Sequence, residues 1–203
     1  PNSFGYLYLG LLYHYGEGVE QDYSKAKKYF ELSSFLNNSY AILSLGFLYE
    51  RGLGVEKDHL KAKEYFIMAA EKNNPHALYI LGSFYLNGNI FKLDIDQAIK
   101  CFLKCSNIEY DKNTNKNGSS NLFKNQFNNH SENDLGFIYL SFFDDYDKAN
   151  YHFKNAAFNE YPFAQNNFGL FNQFYINNIK FAQYMYERSS KHNFALAQYN
   201  LGY

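Results

Sequence analysis

The chain has no tryptophan, only two cysteines and three prolines in 203 residues, and its charges nearly cancel. With 19 Lys and Arg against 20 Asp and Glu, a net charge of -1 gives no field to draw in a polyanion, so nucleic acid is not an expected partner. Cys101 and Cys105 lie four apart, neighbours on one helix where disulfide geometry is poor, and read as two small core residues. No run approaches the roughly 20 apolar residues that cross a bilayer, and no basic start leads into an apolar stretch as in a signal peptide. Membrane insertion by this region is therefore not expected. The numbering opens at Pro1, already inside a repeating pattern, so the sequence reads as part of a longer chain.

Chemistry is equally sparse. His14, His59, His76, His130, His152 and His192 never fall at metal-ligand spacing with cysteines or clustered carboxylates, no nucleophile signature accompanies them, and they read mostly as surface residues. Gly16-x-Gly18 and Gly52-x-Gly54 lack the further residues of a nucleotide loop. Asp144-Asp145-x-Asp147 lacks the glycine and distal glutamate of a calcium loop and reads as a helix start. No cofactor, metal or catalytic residue is expected. Asn37, Asn117 and Asn129 open Asn-x-Ser triplets, which arise readily by chance among 26 asparagines.

What is abundant is aromatic: 21 Tyr and 21 Phe, a bias that an AT-rich coding genome also produces. The informative signal is periodic. Leu9-Gly10, Leu45-Gly46 and Leu81-Gly82 are spaced by 36 residues, and Tyr13, Tyr49 and Tyr85 follow each glycine by three. Asp22, Asp58 and Asp94 follow by twelve, and Ala26, Ala62 and Ala98 by sixteen. Leu135-Gly136, Phe168-Gly169 and Leu201-Gly202 continue at intervals of 33, the connection between helices having lost three residues.

Each unit predicts two amphipathic helices. Ala41, Leu45, Leu48 and Tyr49 recur at helical spacing, and after a break so do Ala62, Tyr65, Phe66, Ala69 and Ala70. Arg51-Gly52-Leu53-Gly54-Val55 ends the first helix and reverses the chain, and Asp58 supplies an acceptor for the next helix's free amides. Pro75 suits a first turn. Gly46 inside a helix costs roughly 1 kcal/mol relative to Ala, which predicts close approach of the paired helix, with Ala69 and Ala70 opposite. One pair cannot bury both its faces, so stacked pairs are required.

The pattern Ala41-x-x-x-Leu45-Gly46-x-Leu48-Tyr49-x-x-Gly52-x-Gly54-Val55-x-x-Asp58-x-x-Lys61-Ala62-x-x-Tyr65-Phe66-x-x-Ala69-Ala70 resembles the Sel1-like repeat, a tetratricopeptide-type unit. The resemblance covers most of the chain and implies an all-α fold, a right-handed superhelical α/α solenoid. Repeats one to three occupy 1–106, and degenerate repeats four, five and the start of six occupy 129–203, in one continuous solenoid. Between them 107–128 holds seven asparagines in 22 residues and reads as a mobile low-complexity loop.

In such solenoids the first helix of each pair lines a concave groove. Mapped onto this chain, the resemblance places His14, Tyr15, Phe47, Glu50, Arg51, Tyr79, Ser83, Leu86, Asn87, Asn133, Phe137, Asn166 and Leu170 there. It implies a non-catalytic adaptor that binds a protein or peptide, with endoplasmic-reticulum quality control (a ubiquitin-ligase complex) as one setting. The alternatives are a structural spacer or self-association region, and a hydrolase like the cysteine-rich relatives, whose regular cysteine pairs are missing here.

Overall fold

The computed structural model describes residues 2–88, 91–108 and 119–202, with no side-chain detail for 119–125. Among the described residues there are eleven α-helices and no strand, the all-α arrangement of helix pairs that the repeat predicts. The helices form two compact units, Pro1–Asp94 and Ile95–Tyr203.

The first unit holds α1 (Ser3–Tyr15), α2 (Tyr23–Phe35), α3 (Ser39–Arg51), α4 (His59–Glu71) and α5 (Pro75–Asn87), each packed on the next. The helix ends follow from local chemistry. Asn2, Asn38 and Asn74 cap α1, α3 and α5 through their side chains, and Asp22 and Asp58 cap α2 and α4 by accepting the Lys25 and Lys61 amides at 2.9 Å. Gly16 and Gly52 end α1 and α3 at φ 74° and 72°, a left-handed conformation that costs glycine nothing. The second glycine of the turn has another use: a Cβ on Gly54 would lie 2.7 Å from that of Tyr23, so the turn can press onto the start of α2.

Close approach of the paired helices is also present, but the residue opposite differs from the expectation. A methyl on Gly46 would sit 2.6 Å from Cε1 of Phe66, so the glycine makes room for an aromatic ring and not for Ala69 or Ala70. Phe30 faces Gly10 in the same way, as do Phe153 Gly136 and Tyr186 Gly169. A ring fills a glycine notch more completely than a second small residue, which would leave a void. The core of this unit gathers Leu7, Ala26, Phe30, Ala41, Leu45 and Leu48. The repeated Asp-x-x-Lys has its reason in Tyr13 and Tyr49, whose rings lie under the Lys25 and Lys61 ammonium groups at 5.2 and 4.3 Å.

The second unit holds α6 (Ile95–Ser106), α7 (Ser119–Phe143), α8 (Tyr146–Phe158), α9 (Pro162–Phe174), α10 (Ile179–Ser190) and α11 (Ala195–Leu201), again packed in succession. The unit boundary falls within the third repeat, between α5 and α6, whereas the sequence groups three whole repeats together. The expected loop over 107–128 is helical over its last ten residues. Residues 109–118 lie outside the described part, but from Ser119 the backbone is already helical and runs on as α7. Polar composition argued against burial there; it did not prevent an existing helix from extending backwards. Asp145 caps α8, as its reading as a helix start predicts.

Histidine 152 corrects the reading of the histidines as mostly surface residues. It takes the repeat position of Tyr29 and Tyr65, is buried, stacks on Tyr139 at 5.3 Å and meets Glu132 at 2.8 Å. His14, His76 and His130 are half-buried, leaving His59 and His192 exposed. Cys105 is buried and Cys101 half-buried, both with free thiols.

Candidate functional site

The first helices of the pairs are α1, α3 and α5 in one unit and α7, α9 and α11 in the other; α3 keeps one side partly open, whereas α9 is buried all round from Ala164 to Gly169 and exposes only Phe163 and Phe174 near its ends. On α3 that side carries Tyr40, Ser44, Phe47 and Arg51, while Ala41, Leu45 and Leu48 on the adjoining side are fully buried.

Among the predicted groove residues of the first unit, Tyr15 is 63% exposed. Phe47 is half-buried, its ring edge-on to Phe66 at 5.3 Å and 5.8 Å from His76, with the Arg51 guanidinium above it at 5.5 Å. Arg51 is exposed and Glu50 half-buried, 3.7 Å apart at their nearest atoms. Tyr79 and Ser83 are half-buried, and the Ser83 hydroxyl donates to the Tyr79 carbonyl at 3.0 Å, which leaves it an acceptor only. Leu86 is half-buried and Asn87 exposed.

His14 is half-buried, edge-on to Tyr15 at 4.7 Å. Its ring packs on Tyr23 and Phe30 of α2 at 5.4 and 6.4 Å, and burial, with the Arg51 charge, holds it below the ordinary histidine value. Two of the predicted residues carry buried atoms without a hydrogen-bond partner among the described residues, His14 Nδ1 and Glu50 Oε2.

In the second unit Phe137 is 40% exposed and rests edge-on against Phe153, and Leu170 is half-buried. Asn133 and Asn166 depart from the expectation: each is only 2% exposed. Asn167 Nδ2 donates to Asn133 Oδ1 at 2.9 Å, and Asn200 Nδ2 donates to Asn166 Oδ1 at 2.8 Å. Each bond links residues 34 apart in neighbouring repeats. These amides hold α7, α9 and α11 together and are not offered to a partner, because a buried amide left unpaired is costly. Asn129 is likewise buried, accepting from Asn159 at 2.9 Å, and so is closed to a glycan in the folded chain.

The structure adds residues that the carried-over positions missed. Tyr8, Tyr40 and Phe163 are exposed on the same helices. They stand two or six residues before the repeat glycine, and stepping back by three and seven from Phe47 along α3 reaches Ser44 and Tyr40 on its own face. Among the described residues no three His, Cys, Asp or Glu side chains gather as a metal site, and no helix is long and apolar enough to cross a membrane.

Comparison with known proteins agrees with this architecture. The Sel1 repeat model matches residues 3–34, 39–74, 75–105 and 195–203, just over half of the chain. A Sel1 repeat protein from Oxalobacter formigenes superposes with a TM-score of 0.78 at 21% identity, over 99% of this chain and 77% of its own. An immunity protein from Pseudomonas aeruginosa superposes with a TM-score of 0.54 at 15% identity, over 93% of this chain and 66% of its own. At these identities the likeness is one of fold. No curated protein sequence matches. Matched repeats, glycine notches filled by rings and consecutive helix-pair packing together assign the chain to the Sel1 repeat family, whose members generally serve as protein–protein interaction scaffolds.

Proposed function

We propose that the chain is a non-catalytic scaffold that binds a partner protein on the exposed sides of the first helices. The observation that carries this is the exposure of Tyr8, Tyr15, Tyr40, Phe137 and Phe163 on helices whose other sides are tightly packed. Aromatic side chains give large contact area for little lost entropy and are the usual anchors of an interface. Resemblance to adaptors of endoplasmic-reticulum quality control is the support for placing the partner in such a complex.

Photo-crosslinking tests the exposed side in each unit directly. Benzoylphenylalanine placed at Tyr40 or Phe137 should crosslink the partner that co-purifies with the full chain, and the same group at exposed Leu60 on α4 should not. Crosslinks from Leu60 alone would move the site to the second helices and refute the proposal.

A further inference from the structure

The second unit breaks a capping rule that the first unit keeps, and it does so where aromatic rings meet. The three first helices α1, α3 and α5 all begin with an asparagine whose side chain caps them. At the corresponding places α9 and α11 carry Tyr161 and Phe194, with no side-chain cap. The backbone has not changed to suit them: Asn38 lies at φ -77° and ψ 110°, Tyr161 at -86° and 108°, and Phe194 at -78° and 106°. An asparagine would cap there as it does at 38, so two favourable caps are forgone.

The rings in their place join a track. His130 on α7 lies 4.7 Å from Tyr161, Tyr161 lies 6.0 Å from Phe163, and Phe163 meets Phe194 edge-on at 5.8 Å. Phe163 is 39% exposed and the others are half-buried. On the first helices beside this track the charge is negative, and the turns before them add Glu160 next to Tyr161 and Lys191 three residues before Phe194. Residues 126–143 of α7, together with α9 and α11, contain no Lys or Arg, and their only two carboxylates are Glu132 and Asp134. Glu132 meets His152 and Asn155. Asp134, whose Oδ1 accepts from Asn133 Nδ2 at 3.4 Å, stands one turn after His130, and its charge helps burial push the Tyr161 phenol up to about 12. Burial holds His130 below its ordinary value, so near neutral pH it adds no positive charge.

We infer that this track, with the Asp134 carboxylate, receives a cationic side chain, Lys or Arg, of the bound protein. The inference rests on the scaffold reading above and names the chemistry of its partner. Ring faces attract a cation and a neighbouring carboxylate adds to the attraction. The opposing effect is the positive end of α9, equivalent to about half a charge and felt only within its first turn. Asp134 carries a whole charge, and the contact with His130 brings the Tyr161 ring against α7.

The probe is a short fluorescein-labelled Gly-Ser peptide with Arg-Leu-Arg at its centre, compared by anisotropy with the same peptide bearing Gln-Leu-Gln. The Arg peptide should bind the full chain about tenfold more tightly or better. Tyr161→Asn combined with Phe194→Asn should abolish the preference while leaving the melting temperature unchanged or raised by a few degrees, because two caps are restored. Asp134→Asn should reduce the preference several-fold with the rings intact. Equal affinity for both peptides, lost in the ring variants, would overturn the cationic specificity but leave the scaffold reading standing. Binding of neither peptide would overturn this site, while crosslinking through Tyr40 would still report on the scaffold. A fall in melting temperature with the preference retained would show that Tyr161 and Phe194 serve packing alone.

Discussion

Replacing Gly46 by alanine sets two known effects against each other. Inside α3 the change should favour the helix by about 1 kcal/mol, since glycine is the poorer helix former. The new methyl, however, would lie 2.6 and 2.7 Å from Cε1 and Cδ1 of Phe66, where ordinary carbon contacts are about 3.5–4.0 Å. The ring has no room to retreat: Phe66 is fully buried, with Phe47 and Phe84 at 5.3 and 5.6 Å. Such overpacking costs about 1–3 kcal/mol, so the net change should be a destabilisation of up to about 2 kcal/mol. Phe66→Leu alone should cost about 1–2 kcal/mol through the space it opens. Combined, the two changes should cost less than their sum by about 1 kcal/mol, because the methyl then occupies vacated volume. Urea unfolding followed by circular dichroism measures each variant, and hydrogen exchange on α3 and α4 guards against a repeat protein's unfolding in parts. A Gly46→Ala variant that gains the full 1 kcal/mol of helix propensity would refute the reasoning, since it would show that Phe66 gives way freely.

The buried amides make a second double test: Asn167→Leu should cost about 1–3 kcal/mol by orphaning Asn133, and adding Asn133→Leu should recover much of it, whereas additive losses would count against the ladder. Burial presses His76 from 6.5 down to about 4, so between those values the unfolded chain binds a proton that the folded chain does not. Stability is complete above 6.5 and declines as pH falls toward 4; the urea midpoint should drop less for His76→Phe than for the parent between about pH 7.5 and pH 5, and equal drops would remove the cause. His14 and His130 shift in the same direction, so part of the decline should persist in that variant. Cys101 and Cys105, both pushed up to about 11 by burial, should react with a disulfide reagent near pH 8 far more slowly in the folded chain than in urea, and comparable rates would contradict their burial.

How much was legible in the sequence varied with the range of the interaction. Helix ends were readable because their causes are local: Asp58 caps α4 from three residues away and Gly52 turns the chain where it stands. The candidate site was readable only in part. Tyr15, Phe47 and Phe137 fall on the first helices where the repeat places them, but Asn133 and Asn166, three residues before the repeat glycine, are buried by hydrogen bonds to the following repeat. Leu7 and Leu43 at that same repeat position are buried too, so the position faces the neighbouring helices, which the carried-over mapping did not show.

By itself the sequence determined the repeat, its length, its helix pairs and the family, because a period of 36 or 33 residues is written in the chain and every cap acts within a turn. The tertiary structure alone decided which ring fills each glycine notch, which asparagines bond to each other across repeats, and that Tyr161 and Phe194, in cap positions, meet His130 and Phe163. These are contacts between residues 17 to 34 positions apart, where side-chain volume and the cost of an unpaired polar atom select the neighbour.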